Sequence, residues 1–562
     1  MPNLSLAGIL RPSRMIRASL SKKIRNAADA LISAGLLPPN DYPIEVTDPK
    51  SPEHGDFATN FALTASKLSK VAPHIIGNAL AEQLRKDADF SQVAMAGPGF
   101  VNLRLSDSAL AYWLKELEEK GESFAQTTLD EPKKILVEFV STNPNGPIHL
   151  GHGRGAAYGS TLCRVLERAG HKVAREYYIN DGANSQQMIL FGQSVIAKYR
   201  ESLGLQHDFP EDGYKGDYVD EIANKIRESH GDSHADDGLD FFQPISQALM
   251  IEKQQADLSR FGVTFDKWFS EQSLFDNDQV LPNVEELKKG GHCFLQDGAL
   301  VLRSTDFGDD KDRVVIRSDG RPTYIASDIA YHKDKFSRGF NKLINIWGAD
   351  HHGYVARMSA VIQAMGYPKD SLDVVITQIV RFLSKGQVVP MSKRSGEMIP
   401  LSQLMDDVGV DVARYFYIMR SHDSHMDFDL DLAKEQSDKN PVYYLQYAHA
   451  RICSLLTKAK EQGHSATNWT VGQFEDPERA LIMKIWDLPF EIARTAESYD
   501  VHILATYAVE IARQYHNFYD KCRVIAPEKP EETKRRLAIC EATRVALRSV
   551  FDILGITAPE RM

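Results

Sequence analysis

One βαβ unit constrains this chain more than any other feature. Lys134-Ile135-Leu136-Val137-Glu138-Phe139-Val140 is apolar and rich in β-formers, which suits a central strand buried on both faces of a parallel sheet. A glycine-rich stretch follows, Asn143-Pro144-Asn145-Gly146-Pro147-Ile148-His149-Leu150-Gly151-His152-Gly153-Arg154-Gly155. Ala156 to Ala169 then has helical spacing, with Leu162, Val165, Leu166 and Ala169 apolar and Gly170 as a C-terminal stop. Val173 to Ile179 reads as the next strand. Parallel strands need a crossover of this kind, so the fold class is α/β with a parallel, Rossmann-like sheet.

A chain of 562 residues exceeds what one hydrophobic core serves, and its pattern divides. Residues 1–115 read as an N-terminal α/β module. Two helical patterns precede Gly55-Asp56-Phe57-Ala58-Thr59-Asn60, and Phe100 to Leu105 alternates with period two. A charged helix, Leu110 to Lys120, leads into a polar linker ending at Pro132. Residues 130–408 hold the parallel-sheet pattern, interrupted around 190–262 by a helical insertion. That insertion carries two polar loops, Glu211 to Asp217 and Ser229 to Gly238. The α/β pattern resumes at Arg313 to Ile316, then Leu343 to Trp347, then Asp373 to Thr377. Within 409–562 strand signals disappear from Asp411 onward, which reads as an all-α bundle.

No apolar run is long enough to span a bilayer, and the five scattered cysteines offer neither a disulfide framework nor a cysteine zinc site. A cytoplasmic protein is expected. Arg11 to Arg25 is basic with no acid and admits a transit-peptide reading. Ile16, Leu20, Ile24 and Leu31 share one helical face and support an amphipathic helix instead. The net charge of −11 gives no general support for nucleic-acid binding, but a local basic face would suffice.

The glycine-rich stretch is the chemical centre. Unpaired N–H groups and the dipole of the helix that follows favour an anion, glycines at 151, 153 and 155 admit close approach, and His149 and His152 add donors where charge develops on phosphorus. Three other readings stand beside it. Gly151 to Ala156 matches a dinucleotide fingerprint, with Glu176 about twenty residues on, but a polar Asn/Pro segment separates it from the strand. Two histidines alone lack a third zinc ligand. A plain glycine turn with solvated histidines is the third.

Far downstream stands Val389-Pro390-Met391-Ser392-Lys393-Arg394-Ser395-Gly396. His149-Leu150-Gly151-His152 and Met391-Ser392-Lys393 together resemble the HIGH and KMSK signatures of class I aminoacyl-tRNA synthetases. The resemblance implies ATP lying across the sheet's switch point. His149 and His152 would sit at the α-phosphate, with Gly151 beside them, and Lys393, with Met391 and Ser392, would close on the β,γ-phosphates. Gly348-Ala349-Asp350-His351 follows the strand ending at Trp347 and, by the same likeness, meets the nucleoside. A histidine-rich turn or a metal cluster is the other reading of that segment.

Almost end to end, the chain is similar to the bacterial arginyl-tRNA synthetase family. The carriers are Val137 to Pro144, Thr323-Tyr324-Ile325-Ala326-Ser327-Asp328-Ile329-Ala330-Tyr331, Asn440 to Arg451, and the ending Pro559-Glu560-Arg561-Met562. The likeness implies an arginine–tRNA ligase, using ATP with Mg2+ and no structural zinc, with tRNA(Arg) and L-arginine as partners, no membrane, and a monomer. Carried over, Asp328 pairs with the guanidinium, Tyr324 flanks it, and Glu138 and Asn143 bind the α-amino end. An ordinary strand-end carboxylate and an amphipathic helix face remain the plain readings of these residues. The N-terminal module would bind the tRNA elbow, with Phe100 and Asn102 reading a D-loop base; a core strand with an outward asparagine is the alternative. The bundle would bind the anticodon, with Tyr447 and Met562 against the tRNA. Tyr443, Tyr444 and Tyr447 cannot all face one way on a helix.

Two departures stand out: Pro390 replaces the first lysine of KMSK, and Gly153 follows the second histidine where family members often carry a larger residue. The other function class open to an HxGH loop is a nucleotidylyltransferase acting on a small substrate without RNA. A non-catalytic RNA-binding relative is a third, opposed by intact His149, His152 and Lys393.

Overall fold

The computed structural model describes residues 16–49, 51–127, 129, 131–182, 185–390 and 398–562. The first helix, α1 (Ile16–Ser33), buries Ile16, Leu20, Ile24, Ala27, Ala28 and Leu31 along one face, the amphipathic reading of that segment. Strands β1 (Val46–Thr47) and β2 (Phe57–Thr59), helices α2 (Phe61–Ser69) and α3 (Pro73–Leu84), and strands β3 (Phe90–Ala96) and β4 (Phe100–Leu105) complete the module, the strands pairing antiparallel in the order β1-β2-β4-β3. Among the described residues α1 is the one α-helix before Gly55, with a single 3-10 turn at Pro52–His54, where two helical patterns were expected. Pro38, Pro39 and Pro43 stand in the segment after α1, where proline removes a helical donor and clashes with the preceding turn. Helix α4 (Asp107–Lys120) leads out, its end capped by Ser106, whose hydroxyl accepts from Ala109 N–H.

The central domain runs β5 (Lys134–Glu138), α5 (Leu150–Arg168), β6 (Lys172–Ile179), α6 (Gln186–Ser202), α7 (Asp217–His230), α8 (Leu239–Arg260), β7 (Lys267–Ser270), α9 (Gln272–Asp276), α10 (Val280–Lys289), β8 (Cys293–Gln296), β9 (Ala299–Leu302), β10 (Arg313–Ile316), α11 (Tyr324–Ser337), β11 (Lys342–Gly348), α12 (Val355–Ala364) and β12 (Leu372–Thr377). Its five-stranded sheet has the order β12-β11-β5-β6-β7, with every pairing parallel. From β5 the chain winds outward through β6 and β7, then returns to place β11 on β5's other side. The crevice between the C-terminal ends of β5 and β11 is the topological switch point, where open parallel sheets bind ligands. The insertion α6–α8 packs around its own core of Phe191, Val195, Tyr199, Ile226, Phe242 and Met250.

Two strand readings change. Arg313 to Ile316 does not resume the parallel sheet. It edges a three-stranded antiparallel sheet, β10-β9-β8, whose short neighbours are joined by the tight turn at Asp297-Gly298. The parallel sheet's edge beyond β6 is instead β7, too short to show a period-two pattern.

Next come β13 (Val380–Ser384), β14 (Gln387–Val389), α13 (Leu401–Val408), α14 (Val410–Ile418), β15 (Met426–Asp429) and α15 (Leu430–Lys434). Strand β15, inside the region expected to be all helix, pairs parallel with β13. Helices α16 (Pro441–Glu461), α17 (Asp476–Trp486), α18 (Leu488–Ser498), α19 (His502–Lys521) and α20 (Pro530–Leu554) form the terminal bundle. It docks on the first module through the buried Arg479, which donates to Asp56 at 2.8 Å and to Asp107 at 2.9 Å. No helix among the described residues is long and apolar enough to cross a membrane.

Candidate active site

Helix α5 starts at Leu150, six residues before the position its apolar spacing suggested, so the glycines lie inside its first turns. The histidines explain the shift. His149 is the N-cap, in extended backbone at φ −101° and ψ 169°, and its Nδ1 accepts from Gly151 N–H at 3.0 Å. His152 completes a capping box, its Nδ1 facing His149 N–H at 3.5 Å. With both Nδ1 atoms accepting, each neutral ring carries its proton on Nε2. The rings lie against each other, centroids 3.5 Å apart. Burial pushes both imidazoles below the ordinary histidine range, His152 to about 3 with His149 adding to the effect. Near neutral pH the pair therefore offers two N–H donors and no net charge.

Close packing accounts for Gly153. A Cβ there would stand 2.6 Å from the ring and hydroxyl of Tyr417, whose hydroxyl donates to Leu150 O at 2.9 Å. The ring that closes the helix's first turn thus takes the space a side chain would need.

Met391, Ser392 and Lys393 lie outside the described residues. The chain beyond them returns to the histidines: Leu150 N–H donates to Ile399 O at 3.1 Å and Leu401 N–H to Ile148 O at 2.7 Å, bridging His149 to Pro400. Arg154, on the next turn of α5, is buried and donates to Gln378 O and Ser424 O at 2.8 Å and to Ser421 O at 2.6 Å. One helix terminus therefore anchors both the imidazoles and the segments flanking β13–β14.

Across the crevice, β11 ends at Gly348, where a Cβ would meet Asp350 Oδ1 at 2.6 Å. Asp350 and His351 are exposed, His351 Nε2 lying 3.4 Å from Asp350 Oδ2. Among the described residues no group of three or more His, Cys, Asp or Glu is placed to hold a metal ion.

At the same C-terminal end of the sheet lies an acidic cluster. Asp328, on α11, accepts from the Tyr354 hydroxyl. Burial raises its carboxyl to about 7; Tyr354 opposes the rise, Glu138 and Glu271 add to it, and Lys335 offsets part of it. Tyr324 stands one turn before Asp328 and is 77% exposed. Asn143 donates to Gln187 from the loop after β5. Glu138 is buried at the end of β5, its Oε1 taking the Ser141 hydroxyl at 3.2 Å and its Oε2 the Lys335 ammonium at 2.5 Å. Sequence reading missed Glu271, Tyr178, Tyr354 and Lys335. Glu271 follows β7 as Glu138 ends β5. It is buried, and burial raises its carboxyl, with hydrogen bonds to Tyr178 and Ser327 opposing. Glu138 came from the family likeness, which named nothing at position 271; recognising β7 as a strand would have marked Glu271 as a strand-end carboxylate.

Phe100 and Asn102 are half-buried on one face of β4, opposite the buried Val101, Leu103 and Leu105. On α16, Tyr447 is exposed and parallel to Tyr443, centroids 6.4 Å apart. Tyr444 turns away, packing against the core and towards His516. His449 Nδ1 holds Pro559 O at 2.9 Å, which lays the last residues along α16 with Met562 exposed.

Comparison with known proteins agrees along most of the chain. Family models match for the arginyl tRNA synthetase N-terminal domain at residues 15–105, the class I (R) tRNA synthetase catalytic domain at 115–429, and the DALR anticodon binding domain at 445–562. An arginine–tRNA ligase from Halalkalibacterium halodurans is 45% identical, with 95% of this chain and 97% of that one aligned. The counterpart from Citrifermentans bemidjiense is 44% identical, with 97% and 99% aligned. The arginyl-tRNA synthetase of Thermus thermophilus shares the fold at a TM-score of 0.73 and 22% identity, covering 98% of this chain and 100% of that one. The twin-histidine helix start, the parallel sheet behind it and these matches place the chain in the class I arginyl-tRNA synthetase family.

Proposed function

We propose that the chain joins L-arginine to tRNA(Arg) in two steps. The arginine carboxylate attacks the α-phosphorus of ATP, the bond to the β-phosphate breaks, pyrophosphate leaves, and arginyl-adenylate remains. A hydroxyl of the terminal ribose of tRNA then attacks the acyl carbon and AMP leaves. Mg2+ enters with the triphosphate as part of the substrate.

The observation that carries this reading is a neutral, donor-only imidazole pair at a helix N-terminus, at the same end of the sheet as the buried Glu138 and Glu271 and the half-buried Asp328. Fixed Nε2–H donors gain strength as negative charge grows on the α-phosphate oxygens, without reorganising. Lys393, reached through a segment tied to the same turn, meets the departing pyrophosphate, with Met391 and Ser392 beside it. Gly151 lets the phosphate approach the helix start, and Gly348, Asp350 and His351 face the nucleoside. Catalysis is then positioning and charge stabilisation.

A guanidinium is planar, permanently charged and suited to carboxylates in fork geometry. Asp328 and Glu271 supply them, and Tyr324 flanks the plane. Asn143 and the second lone pair of Glu138 Oε1 face the α-amino end. The first module, through Phe100 and Asn102, takes the tRNA elbow. The bundle, through Tyr447 and Met562, takes the anticodon loop, stacking being a sequence-tolerant source of affinity. The protein works as a cytoplasmic monomer of three parts: residues 1–115, 130–408 and 409–562.

Arginine-dependent exchange of pyrophosphate into ATP, with and without tRNA, tests the reading. Exchange that needs arginine and rises with tRNA supports it. Stable charging of another amino acid, with none for arginine, refutes the specificity. Exchange without any tRNA binding would favour the nucleotidylyltransferase reading.

A further inference from the structure

Lys335 has no part in the chemistry above, yet it is fully buried directly beneath the pocket. Its ammonium lies 2.5 Å from Glu138 Oε2 and 3.2 Å from Asn345 Oδ1, and 4.0 Å from the centroid of the Tyr331 ring. Asn345 Nδ2 donates to His332 Nε2 at 3.0 Å, and His332 Nδ1–H donates to Asp328 O at 2.8 Å. A continuous polar path thus runs from Lys335 through Asn345 and His332 to the backbone of the residue assigned to the guanidinium. A buried ammonium is costly unless paired, and removing its partner leaves a buried charge without compensation.

The pocket receives charged groups from every element around it. Glu138 comes from β5, Tyr178 from β6, Asp181 from the loop after β6, and Glu271 from the end of β7. Asp328, Tyr331, His332 and Lys335 come from α11, and Tyr354 and Arg357 from beyond β11. Lys335 is paired with Glu138, and Glu138, Glu271 and Lys335 all act on Asp328; Asp181 is taken up by Ser270 Oγ and Gln272 N–H, and Arg357 lies over the Tyr354 ring. An arginine brings two positive groups, and its carboxylate charge is lost on adenylation. Two open carboxylates match that charge, whereas a third would leave an excess negative charge in a poorly solvated space.

We propose, resting on the arginine reading above, that Lys335 is a positioning residue that sets the specificity of the pocket: by cancelling Glu138 from beneath and fixing the turn that carries Asp328, it leaves Asp328 and Glu271 as the pair that receives the guanidinium. Without that ammonium, Glu138 raises the proton affinity of its neighbours, and the guanidinium must compete with an added proton. The defect then falls on arginine capture, not on the phosphate chemistry, and it shrinks as pH rises.

Lys335→Met removes the charge at nearly constant length, and Lys335→Arg keeps the charge. Both are compared with the wild-type chain in tRNA-dependent pyrophosphate exchange across a pH series, with Tm measured alongside. For Lys335→Met the KM for arginine is expected to rise at least about tenfold near neutral pH, consistent with loss of one partner of a buried charge pair, and to return towards the wild-type value above about pH 8. Its kcat at saturating arginine and its KM for ATP stay within about threefold, and Lys335→Arg restores the KM for arginine to within about threefold. A wild-type KM for arginine in Lys335→Met, or a loss of kcat equal at every pH, overturns the proposal.

If Lys335→Met does not fold, the double variant Lys335→Met/Glu138→Gln decides, because it removes both members of the ion pair and leaves no uncompensated carboxylate beneath Asp328. Its KM for arginine, taken as a ratio to wild type, should not change with pH. A ratio that falls as pH rises overturns the proposal. Absence of arginine-dependent exchange in the wild-type chain would instead count against the functional reading itself.

Discussion

The imidazole turn and the acidic pocket lie at one end of the same sheet and are built by opposite means. The turn closes on itself: His149, Gly151 and His152 satisfy one another's hydrogen bonds within four residues. The pocket draws Glu138, Tyr178, Glu271, Asp328, Lys335 and Tyr354 from separate elements spanning more than two hundred residues. The acceptors that orient the two rings lie within the turn, although Tyr417 and the Ile399–Leu401 segment pack onto it. A pocket assembled across the sheet takes its charge from buried neighbours, so its chemistry can be altered without touching the substrate.

The sharpest way to break the contrast is Asp328→Asn. It keeps the shape, removes the charge, and should lower kcat/KM for arginine on the order of 10²–10³-fold, because a desolvated charge partner is lost. Affinity for tRNA, measured at fixed salt, should be unchanged. A variant with wild-type kcat/KM would move the guanidinium elsewhere.

His149→Asn keeps an N-cap acceptor and withdraws the Nε2 donor. Activation should fall about 10²-fold in kcat, the usual scale for one lost oxyanion donor, with the KM for arginine little changed. An equal rise in arginine KM would mean that turn and pocket are coupled.

Titration comes next in size. If the proposed pairing holds, the ionised form of Asp328 receives the guanidinium; its carboxyl is raised to about 7, so arginine affinity should weaken by up to about tenfold per pH unit below that value. A carboxyl raised in the folded state favours the protonated folded form. Its stabilising contribution is complete below the ordinary aspartate range and is lost as pH rises through about 7. Bound arginine reverses that loss, so the rise in Tm caused by arginine should grow between about pH 6 and 8. A pH-independent rise would remove Asp328 from the binding equilibrium.

Smallest is Gly153→Ala. The Tyr417 ring must move for the new methyl group, at a cost of about 1–3 kcal/mol in unfolding free energy by denaturant titration. No loss of stability would show that the ring yields freely and that Gly153 has another cause.

The parallel strands 134–138, 172–179, 342–348 and 372–377 were legible because long apolar β-rich runs have few other solutions. The four-residue strand β7 and the antiparallel β8–β10 sheet were not, since short segments take their partners from tertiary contacts. Losing β7 also lost Glu271, the carboxyl at its end. The start of α5 was misplaced because apolar spacing marks the buried face of a helix and is silent about a first turn closed by histidine side chains.

By itself the sequence determined the parallel-sheet class and the twin histidines at a helix start, together with the family that Tyr324, Asp328 and the terminal tyrosines resemble. Periodicity and short-range spacing encode such things directly. Only the tertiary structure decided which carboxyls share one pocket, that Lys335 neutralises Glu138 beneath it, and why residue 153 has no side chain. Burial and through-space charge depend on distances between elements far apart in the chain, and no local pattern of residues carries them.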